Sequence, residues 1–270
     1  MLVRVGVLGW PVAHSRSPAM HNAAFAALGM DGWRYQRLPV PPALFDETTR
    51  ALWAAGFLGA NVTIPHKRAA LALATKASAR AREIGAANTL TFGADGEIDA
   101  ENTDAPGLIE ALHSLGELPT HPRVLVLGAG GSAPAAVWAL REAGAAEICV
   151  WNRTASKAQE LARRLGASAV AQPGPADVLV NCTSVGLERS ASDKDALNQL
   201  RLTFDQVGNY AYVVDFVYSS QPTPLLAAAR AHGARTVDGL ELLVAQGALS
   251  FELWTGRRAP LEAMRRAARS

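Results

Sequence analysis

Apolar and polar positions along the chain switch repeatedly between a period of two and a period near 3.6, and the switches lay out its elements. A β-branched run from Val3 to Leu8 gives way to a turn. Ser17-Pro18 then opens an Ala-rich helix to about Leu28, with Ser in the capping place and Pro at the first helical position. An extended run from Trp33 to Leu38 precedes a helix from about Pro42 to Ala55. A short strand near Asn61 to Thr63 leads into a helix after Pro65. Ala77 to Gly85 reads as helix, Asn88 to Phe92 and Glu97 to Ala100 as a hairpin around Asp95-Gly96, and Asp104 to Leu115 as a helix. Such alternation predicts an α/β sheet covered on both faces.

A polar, Pro-bearing link from Gly116 to Pro122 marks the hinge region, and a second alternating series follows it. Strands are expected at Arg123 to Leu127, Glu147 to Trp151, Val178 to Asn181, Tyr212 to Val217 and Arg235 to Val237, with helices at Ser156 to Leu165 and Pro224 to His232. Five or six strands of this kind make a nucleotide-binding sheet. After Gly239 a helix from Leu240 to Thr255 is too apolar on every side for a surface. A basic amphipathic tail helix from Pro260 is expected to fold back onto the N-terminal half.

Composition narrows the class. The 270 residues carry 26 Lys+Arg against 24 Asp+Glu, a net charge of +2, with 49% hydrophobic residues. This excludes disorder, coiled coil and collagen, and leaves one large or two modest domains. The cations are scattered among acids, so no nucleic-acid strip stands out. Cys149 and Cys182 both lie in apolar runs that suit buried reduced thiols, and a reducing cytoplasm fits. The longest uncharged stretch, between Arg123 and Arg141, is broken by Gly128, Gly130, Gly131 and Pro134 and falls short of a membrane span. Arg4 and the apolar residues after it could pass for a signal peptide, but Gly6, Gly9 and Pro11 argue for a strand and a turn.

The segment VLVLGAGGSA joins a strand to an uncharged helix, and Gly128, Gly130 and Ala133 match the G-x-G-x-x-G/A spacing. The first small residue closes the turn, the second admits a pyrophosphate to the backbone, and the third lets helix and strand pack. An acidic residue at the end of the next strand would select NAD. Glu147 instead starts that strand, while Trp151 is followed by Asn152, Arg153 and Thr154, with Lys157 one turn on. Cations and a hydroxyl there suit a 2′-phosphate, so the cofactor expected is NADP. For Thr154 alone, a helix cap is an equally good reading.

A polar cluster occupies the first half. Ser15 and Ser17 follow the first strand and could share a carboxylate; taken singly, a turn residue and a helix cap explain them as well. NVTIPHK supplies Asn61, Thr63 and Lys67, and NTL and NTD supply Asn88, Asn102 and Asp104, groups that together suit a polyhydroxylated substrate. Lys67 could be a surface lysine and Asp104 a mere cap. Beside a nicotinamide the pair gains a mechanism, because interconverting a secondary alcohol and a ketone by hydride transfer needs a group that holds and releases a proton. Gln246 projects from the long apolar helix, where its amide needs partners. His14, His21 and His66 lack regular metal-ligand spacing and read as structural, and no metal is expected.

In order, GWPVAHSRSPAMHNAAF, GFLGANVTIPHK, IGAANTL, ENTD, GAGGSA, NRT, NCTS, DFVY with TPLL, and DGLELLVAQGALSFELWTG resemble the shikimate dehydrogenase family across nearly the whole chain. The resemblance implies an N-terminal α/β substrate domain, residues 1–105, completed by C-terminal helices, residues 239–270. A Rossmann-type NADP-binding domain, residues 106–238, is inserted between them. It implies NADPH-dependent reduction of 3-dehydroshikimate to shikimate on the route to chorismate and the aromatic amino acids, by a cytoplasmic monomer or homodimer. Lys67 and Asp104 would be the catalytic pair. Ser15, Ser17, Thr63 and Tyr218 would surround the substrate carboxylate, and Asn61, Asn88, Asp104 and Gln246 its ring hydroxyls. NADP would lie against Gly128, Ala129, Gly130, Gly131, Ser132 and Ala133, the Asn152 to Thr154 segment with Lys157, Thr183 and Gly239. Pro134, Cys182, Ser220 and Leu242 depart from the usual family residues, and none removes a catalytic group. A quinate or dual quinate/shikimate dehydrogenase using NAD(P) is the nearest alternative, and a noncatalytic ligand or NADP sensor is an alternative of another class.

Overall fold

A computed structural model describes residues 2–116, 118–187, 192–219 and 221–270, the side chain of Asp95 aside; Ser220 lies outside the described residues. In chain order the elements are β1 (Val3–Gly9), α1 (Ser17–Ala27), β2 (Trp33–Pro39), α2 (Phe45–Ala51), β3 (Phe57–Val62), α3 (Lys67–Leu73), β4 (Lys76–Ala77), α4 (Ala79–Ile84), β5 (Thr89–Phe92), β6 (Ile98–Glu101) and α5 (Asp104–His113). There follow β7 (Arg123–Leu127), α6 (Ala133–Glu142), β8 (Glu147–Trp151), α7 (Ala155–Leu165), β9 (Ser168–Ala169), β10 (Val178–Asn181), α8 (Asp193–Gln199), α9 (Phe204–Val207), β11 (Tyr212–Asp215), α10 (Pro224–Ala231), β12 (Arg235–Val237), α11 (Gly239–Thr255) and α12 (Leu261–Arg269). The chain divides into two compact units, Met1–Gly107 with Leu243–Ser270, and Leu108–Leu242.

The first unit holds a mixed six-stranded sheet in the order β2-β1-β3-β5-β6-β4. β1 runs parallel to β2 and β3, and the hairpin partners β5 and β6 are antiparallel. Leu8, Phe45, Leu90 and Ile98 pack one core face. At about 2 kcal/mol for each buried side chain of this size, these contacts hold the layers together. Gly59 lets α11 approach, since a Cβ there would collide with the Trp254 indole nitrogen and the Leu90 carbonyl. That glycine is why the pattern placed the strand only at Asn61, whereas β3 begins at Phe57. The helix expected from Pro42 to Ala55 is a 3-10 turn, Pro42–Leu44, followed by the shorter α2, which ends before a turn closed by Gly56 at φ +80°. α12 packs on α1 as expected, with Met264 and Ala268 fully buried and the Arg16 guanidinium donating to the Ala268 carbonyl at 2.9 Å.

The second unit holds a parallel six-stranded sheet in the order β12-β11-β10-β7-β8-β9. Its central strands β7 and β10 are buried throughout apart from Arg123, as strands covered on both faces must be. α8 and α9 escaped the sequence reading although both carry capping signals: Ser192 accepts from the Asp195 N–H, and Thr203 forms a capping box with Gln206. Neither cysteine is in a disulfide, but each is half-buried rather than buried. Cys182 lies one residue past β10, and Cys149 sits near the sheet margin, where β8 pairs only with the short β9 on its outer side. Among the described residues no helix is long and apolar enough to cross a membrane.

Candidate active site

In the first unit the reactive groups collect at the ends of β3, β5 and β6. Lys67 is the first residue of α3, and its ammonium donates to Asp104 Oδ2 at 2.6 Å, each side chain being only 10% exposed. A cation at a helix N-terminus opposes the backbone dipole, so Lys67 depends on that carboxylate for its place. Asp104 opens α5, yet it is no cap: Asn102 Oδ1 takes the Ala105 N–H, leaving both Asp104 oxygens for side chains. Asp104 Oδ1 accepts from Asn88 Nδ2 at 2.9 Å. The orientation of Asn88 is forced, because the Thr103 backbone N–H, a donor only, points at Asn88 Oδ1 at 2.7 Å and turns Nδ2 toward Asp104.

Behind Asn88 lies a hydroxyl cluster that the sequence reading missed. Thr89, Thr103 and Ser250 are at most 1% exposed, and their hydroxyl oxygens are 2.9 to 3.2 Å apart. Ser250 donates to the Gln246 carbonyl and accepts from Asn61 Nδ2 at 2.8 Å, while Asn61 Oδ1 takes the Tyr35 hydroxyl at 2.8 Å. A serine four residues past Gln246 on an apolar helix was the available signal. Gln246 Oε1 lies 3.3 Å from Asn88 Nδ2, and its Nε2 donates to the Leu243 carbonyl. Gly107 permits this approach, since a Cβ on it would stand 2.8 Å from the Gln246 nitrogen.

Ser15 and Ser17 are buried together, the Ser17 N–H donating to Ser15 Oγ at 3.3 Å, and Arg37 clamps the Ser15 carbonyl with two bonds. The cap position of α1 falls to Arg16, so Ser17 is already helical and its hydroxyl caps nothing, contrary to the helix-start reading. Thr63 follows β3, its methyl against Gly9 and its N–H on the Leu8 carbonyl. His66 and His21 are structural as expected: His66 Nε2 bonds the Val40 carbonyl and stacks on Phe45, while His21 stacks on Tyr35.

In the second unit, Gly128 has φ +101°, and a Cβ there would press on Thr183 and the Cys182 backbone. Gly130 is different. It has no such φ, and among the described residues a Cβ would meet only the Cys182 oxygen at 4.0 Å, so none of them requires a glycine there. A bare backbone with free space in front of it fits a pyrophosphate at the start of α6. Ala133, fully buried, packs that helix, and Pro134 falls in its first turn, where no intrahelical N–H bond is lost. The first turn carries no acid. Asn152 Oδ1 accepts from the Ala129 N–H at 3.2 Å, bracing the loop, and its Nδ2 reaches the Thr154 carbonyl.

Arg153, Thr154 and Lys157 are exposed, and Thr154 occupies the cap position of α7 without a side-chain cap bond. Glu147 stands at the opposite end of β8, paired with Arg123 at 3.1 Å. Tyr218 and Gly239 belong to this unit rather than to the cluster around Lys67. Gly239 starts α11 where a Cβ would fall 2.6 Å from the Val217 carbonyl, so packing alone accounts for that glycine. Among the described residues there is no group of acids, histidines and cysteines that could hold a metal.

A parallel sheet with a glycine turn, cations past its second strand and a separate buried lysine–carboxylate pair define a nicotinamide-dependent α/β oxidoreductase. Models of the shikimate dehydrogenase substrate-binding domain, of shikimate/quinate 5-dehydrogenase and of the shikimate 5′-dehydrogenase C-terminal domain match residues 7–90, 110–183 and 239–269. The shikimate dehydrogenase (NADP(+)) of Paracoccus denitrificans is 43% identical over 94% of this chain and 90% of its own length. That of Anaeromyxobacter sp. (strain K) is 46% identical over 97% and 94%. The Thermus thermophilus shikimate 5-dehydrogenase, solved with NADP(H) and shikimate, is 41% identical, covers 100% of this chain and 99% of its own, and superposes with a TM-score of 0.85. The chain belongs to the shikimate dehydrogenase family.

Proposed function

We propose that this protein catalyses the reversible, NADPH-dependent reduction of 3-dehydroshikimate to shikimate in the biosynthesis of chorismate and the aromatic amino acids. One observation carries the chemistry: the Lys67 ammonium, one-tenth exposed, held at 2.6 Å by Asp104, whose other oxygen is fixed by Asn88. NADPH, when bound, supplies the hydride. Lys67 supplies the proton that the carbonyl oxygen takes up as it becomes a hydroxyl, and takes it back in the reverse direction. Asp104 keeps Lys67 aimed, and accepts from a ring hydroxyl. Asn61, Asn88 and Gln246 fix the remaining hydroxyls, and Ser15, Ser17, Thr63 and Tyr218 the carboxylate.

The Gly128 to Ala133 loop and the α6 N-terminus hold the pyrophosphate of NADP. Arg153, with Asn152, Thr154 and Lys157 around it, holds the 2′-phosphate, and Thr183 and Gly239 line the nicotinamide side. The absence of an acid after β8 supports NADP over NAD. We place the enzyme in the cytoplasm as a monomer or homodimer that acts on its small substrate without nucleic acid. Initial rates from reduced-nicotinamide absorbance, with shikimate or quinate paired with NADP or NAD, test the assignment. Shikimate with NADP should be fastest, and faster turnover of quinate with NAD would overturn it.

A further inference from the structure

One fully buried carboxylate is absent from this chemistry. Asp215 ends β11, in register with Asn181 at the end of β10, which in turn lies beside Leu127 at the end of β7. Asp215 and Asn181 are both 0% exposed, and Asn181 Nδ2 donates to Asp215 Oδ1 at 2.9 Å. That oxygen also accepts the Val217 N–H at 3.0 Å, and Oδ2 accepts the Thr223 hydroxyl at 2.6 Å. Three donors converge on one carboxylate at the edge where parallel strands place their ligands.

Each donor belongs to a different segment leaving the sheet. Asn181 Oδ1 accepts both the N–H and the hydroxyl of Thr183, at 3.0 and 2.7 Å, and Thr183 lies against the first glycine of the loop, Gly128. Val217 precedes Tyr218 and supplies the carbonyl against which Gly239 packs. Thr223 caps α10 by accepting from the Leu226 N–H. A single side chain therefore sets the exits of β10 and β11 and the start of α10, and through Gly239 bears on the start of α11.

We propose that Asp215 is a positioning residue for the cofactor: its three hydrogen bonds hold Thr183, the Val217-Tyr218 segment and Gly239 where NADP needs them. The proposal rests on the assignment of NADP above. Burial and the nearby Asp238 push the carboxyl up to about 6, while the three donors oppose the rise. What the surrounding groups demand is therefore a hydrogen-bond pattern more than a charge. A carboxamide meets that pattern, its oxygen accepting from Asn181 and Val217 and its nitrogen donating to Thr223 Oγ1.

The test measures NADP binding by isothermal titration, alongside kcat at saturating NADP. Asp215→Leu should weaken NADP at least tenfold with kcat changed less than threefold, and Asp215→Asn should bind within threefold of wild type. A folded Asp215→Leu that binds NADP like wild type overturns the proposal, as does Asp215→Asn losing as much as Asp215→Leu. If Asp215→Leu does not fold, Asn181→Ala, which cuts the link from Asp215 to Thr183, decides instead: a tenfold loss supports the proposal and unchanged binding overturns it. A wild type that does not bind NADP overturns the cofactor assignment and this proposal with it, whereas intact wild-type binding with an indifferent Asp215→Leu overturns the proposal alone.

Discussion

Acidification should loosen the first unit through one histidine. His21 is fully buried, stacked on Tyr35 with ring centroids 4.3 Å apart, and walled by Phe25, Phe251 and Trp254. Among the described residues neither ring nitrogen has a hydrogen-bond partner, and burial alone drives its pKa from 6.5 down to about 3. Below pH 6.5 the unfolded chain binds a proton that the folded protein refuses, so stability falls with pH until about pH 3 and then levels off. The shift, 6.5 − 3, is worth about 5 kcal/mol in all, and about 2 kcal/mol of it is lost between pH 7 and pH 5 at 1.36 kcal/mol per unit. Urea unfolding followed by tryptophan fluorescence reads this unit well, because Trp10, Trp33, Trp53 and Trp254 belong to it. His21→Leu, of similar volume, removes the titrating ring. Relative to wild type it should gain about 2 kcal/mol between pH 7 and pH 5. If the variant loses as much stability over that interval as wild type does, the imidazole is not the group responsible.

Three further outcomes follow from the two units. Lys67→Ala should lower kcat by about 10²- to 10⁴-fold, the range of a lost general acid, with NADP affinity unchanged by titration; near-normal turnover would remove Lys67 from the mechanism. Arg153→Ala should weaken NADP by about 10- to 100-fold, the loss of one charge-assisted phosphate contact, and leave NAD almost untouched; equal losses would refute a 2′-phosphate role. Asp215 titrates oppositely to His21. Its raised folded pKa means that stability is lost as pH rises from 3.8 to about 6, a shift worth about 3 kcal/mol. Asp215→Asn should therefore be more stable than wild type at pH 7 by up to that amount, with the advantage gone below pH 4. Chemical denaturation at the two pH values checks it.

What could be read from the chain and what could not divide along a physical line. Lys67, Asp104 and the glycine loop were legible because each sits at a strand or helix boundary, where local pattern marks the ligand edge of an α/β sheet. The reach of Lys67 to Asp104 came from the family resemblance and not from local pattern, since the two lie 37 positions apart and the pairing depends on β3, β5 and β6 lying side by side. Asn88 shows the same limit. Its amide direction is set by the Thr103 N–H, a contact with no trace in composition or period. Asp215 is the clearest case. An acid inside the strand expected from Tyr212 to Val217 has no evident partner in the chain's pattern, and only its register with Asn181, which closes VLVN, turns two polar residues into a buried pair at the strand ends. Two apolar runs that close on an amide and on an acid are therefore a signal carried by the chain itself. It gains meaning once the sheet order is known, because adjacency of the strands rather than sequence distance decides whether such groups meet.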